Sequence, residues 1–282
     1  MVLRRVIGQF ALGLAIVASI WSDAAAQRRD SVLTITHFDV GQGDATLIVT
    51  PERRRVLIDA GPLGSGVAPR LKRLGIDTLD LVIASHNHAD HIGGMPEIFA
   101  ALVVLNYMDN GIPHTTLTYQ RTIAAVAAER GLRYLQATER VVEVGSAALR
   151  VLPAATIDSS QNNNSVGVIV AYGEFTALFT GDSEQRQLTR WLRAEKIPRV
   201  TMVKSAHHGA ANGASPRLYA ATSPRVVVIS AGPANRYGHP SPITLRGWAA
   251  TSAEIYRTDI HGSVEVTATR DGRFTVRTSR PR

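Results

Sequence analysis

The sequence predicts an α/β fold in which two similar halves pack over one shared cleft. Three observations carry that reading. Short β-rich runs alternate with amphipathic stretches along the chain. No Pro-, Ser- or Gly-rich linker long enough to separate a pair of domains interrupts them. The order strand, acidic loop, helix, strand, histidine loop also occurs twice: Leu57-Ile58-Asp59-Ala60-Gly61 leads to Val82-Ile83-Ala84-Ser85-His86, and Phe179-Thr180-Gly181-Asp182 leads to Val203-Lys204-Ser205-Ala206-His207. In packed βα units the carboxyl ends of the strands line a crevice, so both acidic loops and both histidine loops are expected to meet there.

In chain order, the first element is not part of that fold. Arg4 and Arg5 form a basic start, a mostly apolar stretch runs from Val6 to Trp21, and Ala24-Ala25-Ala26 offers small residues to a signal peptidase. An uncleaved anchor fits less well, because about 16 apolar residues fall short of the roughly 20 that cross a bilayer. Residues 1–26 are therefore expected to be a secretory signal cut near Ala26, leaving 27–282 as one exported domain, periplasmic or secreted. The Arg pair also permits a twin-arginine route. No later stretch is long and apolar enough to cross a membrane.

The remaining elements follow from periodicity. Strands are expected at 32–38, 45–49, 55–59, 79–85, 103–105, 148–152, 165–172, 175–180, 202–206, 226–230, 254–257, 263–269 and 274–278. Helices are expected at 67–74, 95–101, 119–130, 183–194, 216–221 and 242–251. Ser183 reads as the cap of the fourth helix and Gly131 as the stop of the third.

Composition narrows the class. The 282 residues are 45% hydrophobic and 19% charged, which suits a folded domain and excludes disorder, collagen and coiled coil. The absence of Cys removes disulfides, thiolate metal sites, a cysteine nucleophile and a lipid-modified N-terminal Cys. Lys and Arg number 31 against 23 Asp and Glu, a surplus that favours anionic partners such as nucleic acid, phosphate esters or a bacterial surface. Much of it sits in Arg53-Arg54-Arg55, Arg70-Lys72-Arg73 and Arg277-Arg280-Arg282, where a solvated basic face reads equally well. Aromatics total 6% and form no stripe, so base stacking is not expected to drive recognition.

The chemistry is concentrated in Ser85-His86-Asn87-His88-Ala89-Asp90-His91-Ile92-Gly93-Gly94, directly after a strand. Residues 86–91 hold three imidazoles and one carboxylate; three rings that close would repel one another if protonated, and they serve no packing purpose in a polar loop. A divalent cation resolves both problems. With His86 and His88 aimed to one side and Asp90 and His91 to the other, two ions can sit a few Å apart. The second half supplies Asp182 as a bridging carboxylate and His207, followed by His208 and Gly209, as a further ligand. Alone, a strand-end Asp reads as a helix cap and a single His as a surface residue; their joint placement decides otherwise. His37, His114 and His261 lack metal-like spacing and read as structural or surface residues.

The order Asp59, His86-x-His88-x-Asp90-His91, Asp182, His207 resembles the metallo-β-lactamase superfamily. Phe38-Asp39-Val40-Gly41-Gln42-Gly43-Asp44-Ala45, Asn162-Asn163-Asn164-Ser165, His207-His208-Gly209, Asn235-Arg236-Tyr237-Gly238-His239-Pro240 and Tyr256-Arg257-Thr258-Asp259 make it similar to the hydrolase domain of the ComEC-like competence branch. The resemblance covers about residues 33–268 and implies a four-layer αββα sandwich with two pseudo-twofold halves. The chain departs from the β-lactamases proper in one ligand: no His lies between His114 and Asp182, and Asn162 or Asn163 occupies that region. An amide binds more weakly than imidazole, which would loosen one ion and let Mn²⁺ compete with Zn²⁺, the metal otherwise expected. The membrane channel of competence proteins has no counterpart, so DNA import by this chain alone is not expected.

The resemblance implies an exported dinuclear metal-dependent hydrolase, with a phosphodiesterase or nuclease favoured. Two ions sharing Asp182 and a water bring that water's pKa from about 15.7 towards 7, giving a bridging hydroxide that attacks the substrate. Asp90 and Asp182 then serve as catalytic ligands, and His239 as a phosphate contact or proton donor to the leaving group, unless it is structural in a rigid turn. Lys204 and Arg236 are candidate phosphate contacts. Asp59 is expected to hold a ligand His by its other ring nitrogen, and Asp44 to do likewise or to shape a turn. An amide or ester hydrolase acting on lactams or lactones shares the metal chemistry but would be expected to have the missing His. A metal- or DNA-binding module with little activity would be expected to have lost more ligands.

Overall fold

The structure, a computed structural model, describes residues 31–281, so the proposed signal segment lies outside the described residues. Its elements, in chain order, are β1 (Val32–His37), β2 (Thr46–Val49), β3 (Arg55–Ile58), α1 (Val67–Arg73), β4 (Thr78–Leu79), β5 (Leu81–Ile83), α2 (Ala89–Ile92), α3 (Met95–Ala101), β6 (Val103–Val104), β7 (Asn106–Asp109), α4 (Leu117–Ala128) and β8 (Arg133–Gln136). The second half runs β9 (Arg140–Val144), β10 (Ala147–Leu152), β11 (Gly167–Tyr172), β12 (Phe175–Phe179), α5 (Gln185–Arg193), β13 (Met202–Lys204), α6 (Pro216–Thr222), β14 (Val226–Ile229), α7 (Pro242–Ala249), β15 (Glu254–Arg257), α8 (Thr258–His261), β16 (Val264–Thr269) and β17 (Phe274–Thr278).

Period-2 burial makes these strands into two facing sheets. Leu81 and Ile83 of β5 enter the layer between the sheets while Val82 faces the helices; Val226 and Val228 of β14 do the same against Val227 and Ile229. A strand buried on both faces reads as an unbroken apolar run, as Val226-Val227-Val228-Ile229 does. One sheet has eight strands in the order β17-β16-β1-β2-β3-β5-β7-β8, the other seven in the order β15-β14-β13-β12-β11-β10-β9. The outer faces are closed by Val67 and Leu71 of α1, with Met95 and Phe99 of α3, on one side, and by Leu188 and Trp191 of α5, Leu218 of α6 and Trp248 of α7 on the other. The architecture is the expected αββα sandwich.

The repeat seen in the sequence is a repeat of topology. β1, β2 and β3 are antiparallel, and then β3, β5, β7 and β8 run parallel; β10, β11 and β12 are antiparallel, and then β12, β13, β14 and β15 run parallel. The acidic loops follow β3 and β12, and the histidine loops follow β5 and β13.

Several expectations need correction. The stretch expected as one strand at 79–85 is split at Asp80, whose carboxylate takes the Arg55 N–H and the Arg54 guanidinium. Helix α5 starts at Gln185 with Glu184 at its cap and no side-chain cap bond, so Ser183 does not cap it. Strands β7, β8 and β9 were not expected: β8 ends its sheet with mostly exposed side chains, and β9 alternates exposed with half-buried residues at the opposite sheet's end. Ser215-Pro216 and Ser241-Pro242 open α6 and α7 with the serine hydroxyl accepting from the third residue on, an N-cap followed by a proline that needs no donor.

Candidate metal centre

The first half of the centre is built on an acidic loop bent by strain. Asp59 follows β3 with φ +59°, a left-handed conformation that non-glycine residues enter at a cost of about 1–2 kcal/mol. Its carboxylate accepts from the Ser85 backbone N–H and hydroxyl at 2.7 Å each and lies 2.8 Å from His91 Nδ1. With Nδ1 engaged, His91 turns Nε2 toward Asp182, 3.2 Å away. His86 and His88 meet with 3.0 Å between His86 Nε2 and His88 Nδ1, while Asn87 between them points away and donates to the Ile112 carbonyl. Gly94 lets this loop press on its neighbour: a Cβ there would lie 2.3 Å from the Ala60 carbonyl oxygen.

The second half is also strained. His207 (φ +49°) and His208 (φ +51°) are consecutive left-handed residues before Gly209 (φ +78°). This turn sends both rings into the cleft. His208 Nδ1 lies 3.1 Å from the Ser230 carbonyl, and its Nε2 lies 3.2 Å from both Asp182 and Asp90. His207 Nε2 is 3.7 Å from Asp182, with Nδ1 held by Asn212 at 2.8 Å. The Trp248 indole fixes Ser205, just before the turn, at 3.0 Å.

Asp182 is the common point of these rings. His86, His91, His207 and His208 all come within 3.9 Å of its Oδ2. Asp44, His91, Asp182 and His208 each offer an atom to one cluster less than 4.8 Å across. The donors fit a cation better than each other: His91 Nε2, His208 Nε2 and Asp182 Oδ1 are buried without a hydrogen-bond partner. Without a cation, protons take its place. For His91 and His208, burial opposes charging, but Asp182, then Asp59 for one ring and Asp44 for the other, outweigh it and raise both well above an ordinary histidine. For Asp182 the same rings overcome burial and hold the carboxyl well below its usual range. Burial, reinforced by the neighbouring His91, keeps His86 well below the ordinary value, and His88 is lowered chiefly by burial.

The other expected residues separate by position. Asp90 is at the cleft through His208. Asn162 donates to Glu184 and comes within 3.4 Å of His207 Nε2, with its own carbonyl oxygen buried and unpartnered. Asn163 is turned to Glu184 and the start of α5, so of the two amides only Asn162 faces the cleft. His239 approaches from the loop between β14 and α7, its ring stacked at 6.2 Å on His208 and its Nδ1 3.4 Å from the Gln42 amide; burial first, then His207 and His208, lower it to about 4. Arg236 is exposed on the same loop, packed against Tyr237. Lys204 is a correction: only 3% exposed, it is ion-paired with buried Asp44 and cannot reach a substrate phosphate. Asp44 is accordingly a charged brace as well as a loop residue. His37 is buried beside Thr46, and His114 and His261 bond locally, to Thr116 and Arg257.

Three participants went unread in the sequence. His208 is buried in the cleft where His207 was expected, and the doublet His207-His208 alone does not say which ring turns inward. Glu184, two residues after Asp182, gathers Asn162, Asn163 and Asn212. Gln42 accepts from Gly232 N–H and so ties the loop after β1 to the loop after β14.

An αββα sandwich with imidazoles and carboxylates converging at its strand ends defines a metallohydrolase. The chain belongs to the metallo-beta-lactamase superfamily, whose family model matches residues 38–232. It is similar to "ComE operon protein 3" of Bacillus subtilis (strain 168), 27% identical over 251 residues covering 80% of this chain and 32% of the relative. It is similar too to "Competence protein ComA" of Neisseria gonorrhoeae, 27% identical over 246 residues covering 84% of this chain and 33% of the relative. The chain thus spans about a third of the length of these ComEC-like relatives. Among solved structures, the metallo-beta-lactamase fold protein YhfI from Bacillus subtilis aligns with TM-score 0.57 at 13% identity, over 86% of this chain and 99% of that one. Among the described residues no helix is long and apolar enough to cross a membrane.

Proposed function

We propose that this protein is an exported, dinuclear metal-dependent phosphodiesterase acting on nucleic acid, with Zn²⁺ or Mn²⁺ as its metal. The observation that carries the reading is Asp182, whose one carboxylate oxygen is approached by four imidazoles, those of His86, His91, His207 and His208. In this reading His86, His88 and Asp182, with Asn162 and His207 beside them, would hold one ion, and Asp90, His91, Asp182 and His208 would hold the other. The ions would supply a water acidic enough to lose its proton near pH 7 and positive charge for the phosphate oxygens.

The chain's own residues do the rest. Asp59, the Ser230 carbonyl and Asn212 orient the rings of His91, His208 and His207. His239, held by Gln42 and stacked over His208, is neutral near pH 7 and offers a ring N–H to a phosphate oxygen. Arg236, on the same exposed loop, meets the backbone charge of a strand. The basic surplus, the names of the two competence relatives and the absence of a third loop histidine support a phosphodiester over a lactam. The secretory pattern of residues 1–26 supports export.

The test is a cleavage panel on the purified chain with added Mn²⁺ or Zn²⁺: single- and double-stranded DNA, RNA, bis-p-nitrophenyl phosphate and a chromogenic cephalosporin. Phosphodiester turnover lost in chelator and in the His88→Ala and Asp182→Ala variants is expected. Turnover of the cephalosporin alone would transfer the reading to amide hydrolysis, and turnover surviving both variants would refute the site.

A further inference from the structure

Three rings lead outward from the centre. His208 is buried, His239 stacks on it at 6.2 Å and 21°, and Tyr237 stacks on His239 at 5.7 Å and 25°. Tyr237 is 56% exposed, outside every packed cluster of the fold. A lone exposed aromatic is ordinary, but this one ends a near-parallel stack that begins at a candidate ligand.

The loop that carries it is held in place. Asn235 Oδ1 accepts from the backbone N–H groups of Tyr237 and His239 at 3.2 and 3.0 Å, and its Nδ2 donates to the Gly232 and His239 carbonyls at 2.8 and 2.6 Å. Gln42 secures the loop to the opposite half through Gly232 and His239. The ring is therefore presented at a fixed distance from the centre, so its immobilisation is already met before a ligand arrives. The Arg236 guanidinium carbon lies 5.1 Å from the ring centroid and its Nη2 donates to the Tyr237 hydroxyl at 3.0 Å. An exposed π surface with a guanidinium over it that also reaches its hydroxyl matches a nucleotide, whose base stacks and whose phosphate seeks charge.

We propose that Tyr237, backed by His239 and flanked by Arg236, is a stacking platform for the base next to the phosphate at the metal centre, an inference that rests on the phosphodiesterase reading. It revises the expectation from composition that base stacking does not drive recognition. One ring placed at the site does what a stripe of aromatics would do along a groove.

The test is a cycle of ring against base. Binding of a fluorescein-labelled ten-nucleotide oligothymidylate is compared by anisotropy with the same strand carrying abasic residues throughout, for the wild type and for Tyr237→Ala, Tyr237→Phe and Tyr237→Trp. Tyr237→Ala should weaken binding of the base-bearing strand by roughly 5- to 100-fold and leave the abasic strand within about twofold, while Phe and Trp retain most of the affinity. Equal losses on both strands, or no discrimination between the strands by the wild type, would overturn the platform. Release of p-nitrophenolate from bis-p-nitrophenyl phosphate reports the chemistry separately. A protein that discriminates bases but releases none keeps the platform and loses the phosphodiesterase reading.

Discussion

Nδ1 of His91 lies 2.8 Å from Oδ2 of Asp59, a contact across 32 residues that joins the two loops of the first half. It selects which ring nitrogen faces Asp182, so Asp59 governs the centre without touching its middle. Asp59→Asn keeps the shape and tolerates the left-handed backbone but exchanges an anionic acceptor for a neutral amide. Metal affinity is expected to fall about 10- to 100-fold, read by competition with a chromophoric chelator. An unchanged affinity would remove Asp59 from the centre.

Lys204 and Asp44 face each other in the interior, 160 residues apart in sequence. Lys204→Met leaves the Asp44 charge buried with less compensation and is expected to cost about 3–5 kcal/mol in guanidinium unfolding. Lys204→Met with Asp44→Asn should cost clearly less than the two single changes added together. Additive losses would mean that the pair is not coupled.

Metal uptake should release protons. His91 and His208 are raised well above an ordinary histidine by Asp182 and its neighbours, and a ligand imidazole must give up that proton. Titration calorimetry at pH 7 in buffers of different ionisation heat is expected to show roughly two protons released per chain, with affinity falling as the pH drops. The chelated protein shows the converse. Groups with raised folded values stabilise fully below about pH 6.5 and lose that contribution as pH rises through the raised values, so its urea midpoint should decline on the alkaline side. No proton release would contradict this electrostatic picture.

His37 works in the opposite direction. Burial, with Lys204 adding and Asp44 opposing, lowers it to about 3. The unfolded chain takes up a proton below about pH 6.5 that the folded chain refuses, so stability falls as pH drops from there towards 3, by up to about 1.4 kcal/mol per pH unit. His37→Asn should lose less stability than wild type between pH 7 and pH 4.5 in urea titrations, and an identical loss would reject the assignment.

How much of this was readable in the chain depends on whether neighbours or distant partners decide the outcome. The alternation in Leu81-Val82-Ile83 and the run Val226-Val227-Val228-Ile229 are local, and the sheets follow from them. Strands β8 and β9 escape because their side chains are largely exposed or only half-buried, which weakens the apolar signal. The loop from His86 to His91 announces its chemistry by density. His208 does not, because a left-handed turn chooses between two adjacent rings. Lys204 misled for a related reason: a lysine at a strand end suggests substrate until its distant partner is known.

The groups surrounding Asp182 come from both lobes of the molecule, His86 and His91 from one and His207 and His208 from the other. Ions lodged there would rivet the lobes together. A hundredfold excess of metal over its dissociation constant adds about 2.7 kcal/mol of resistance to unfolding. The heat tolerance of this protein would then track the metal supply of its surroundings, and starvation for the ion would loosen the lobe seam as well as silence the chemistry.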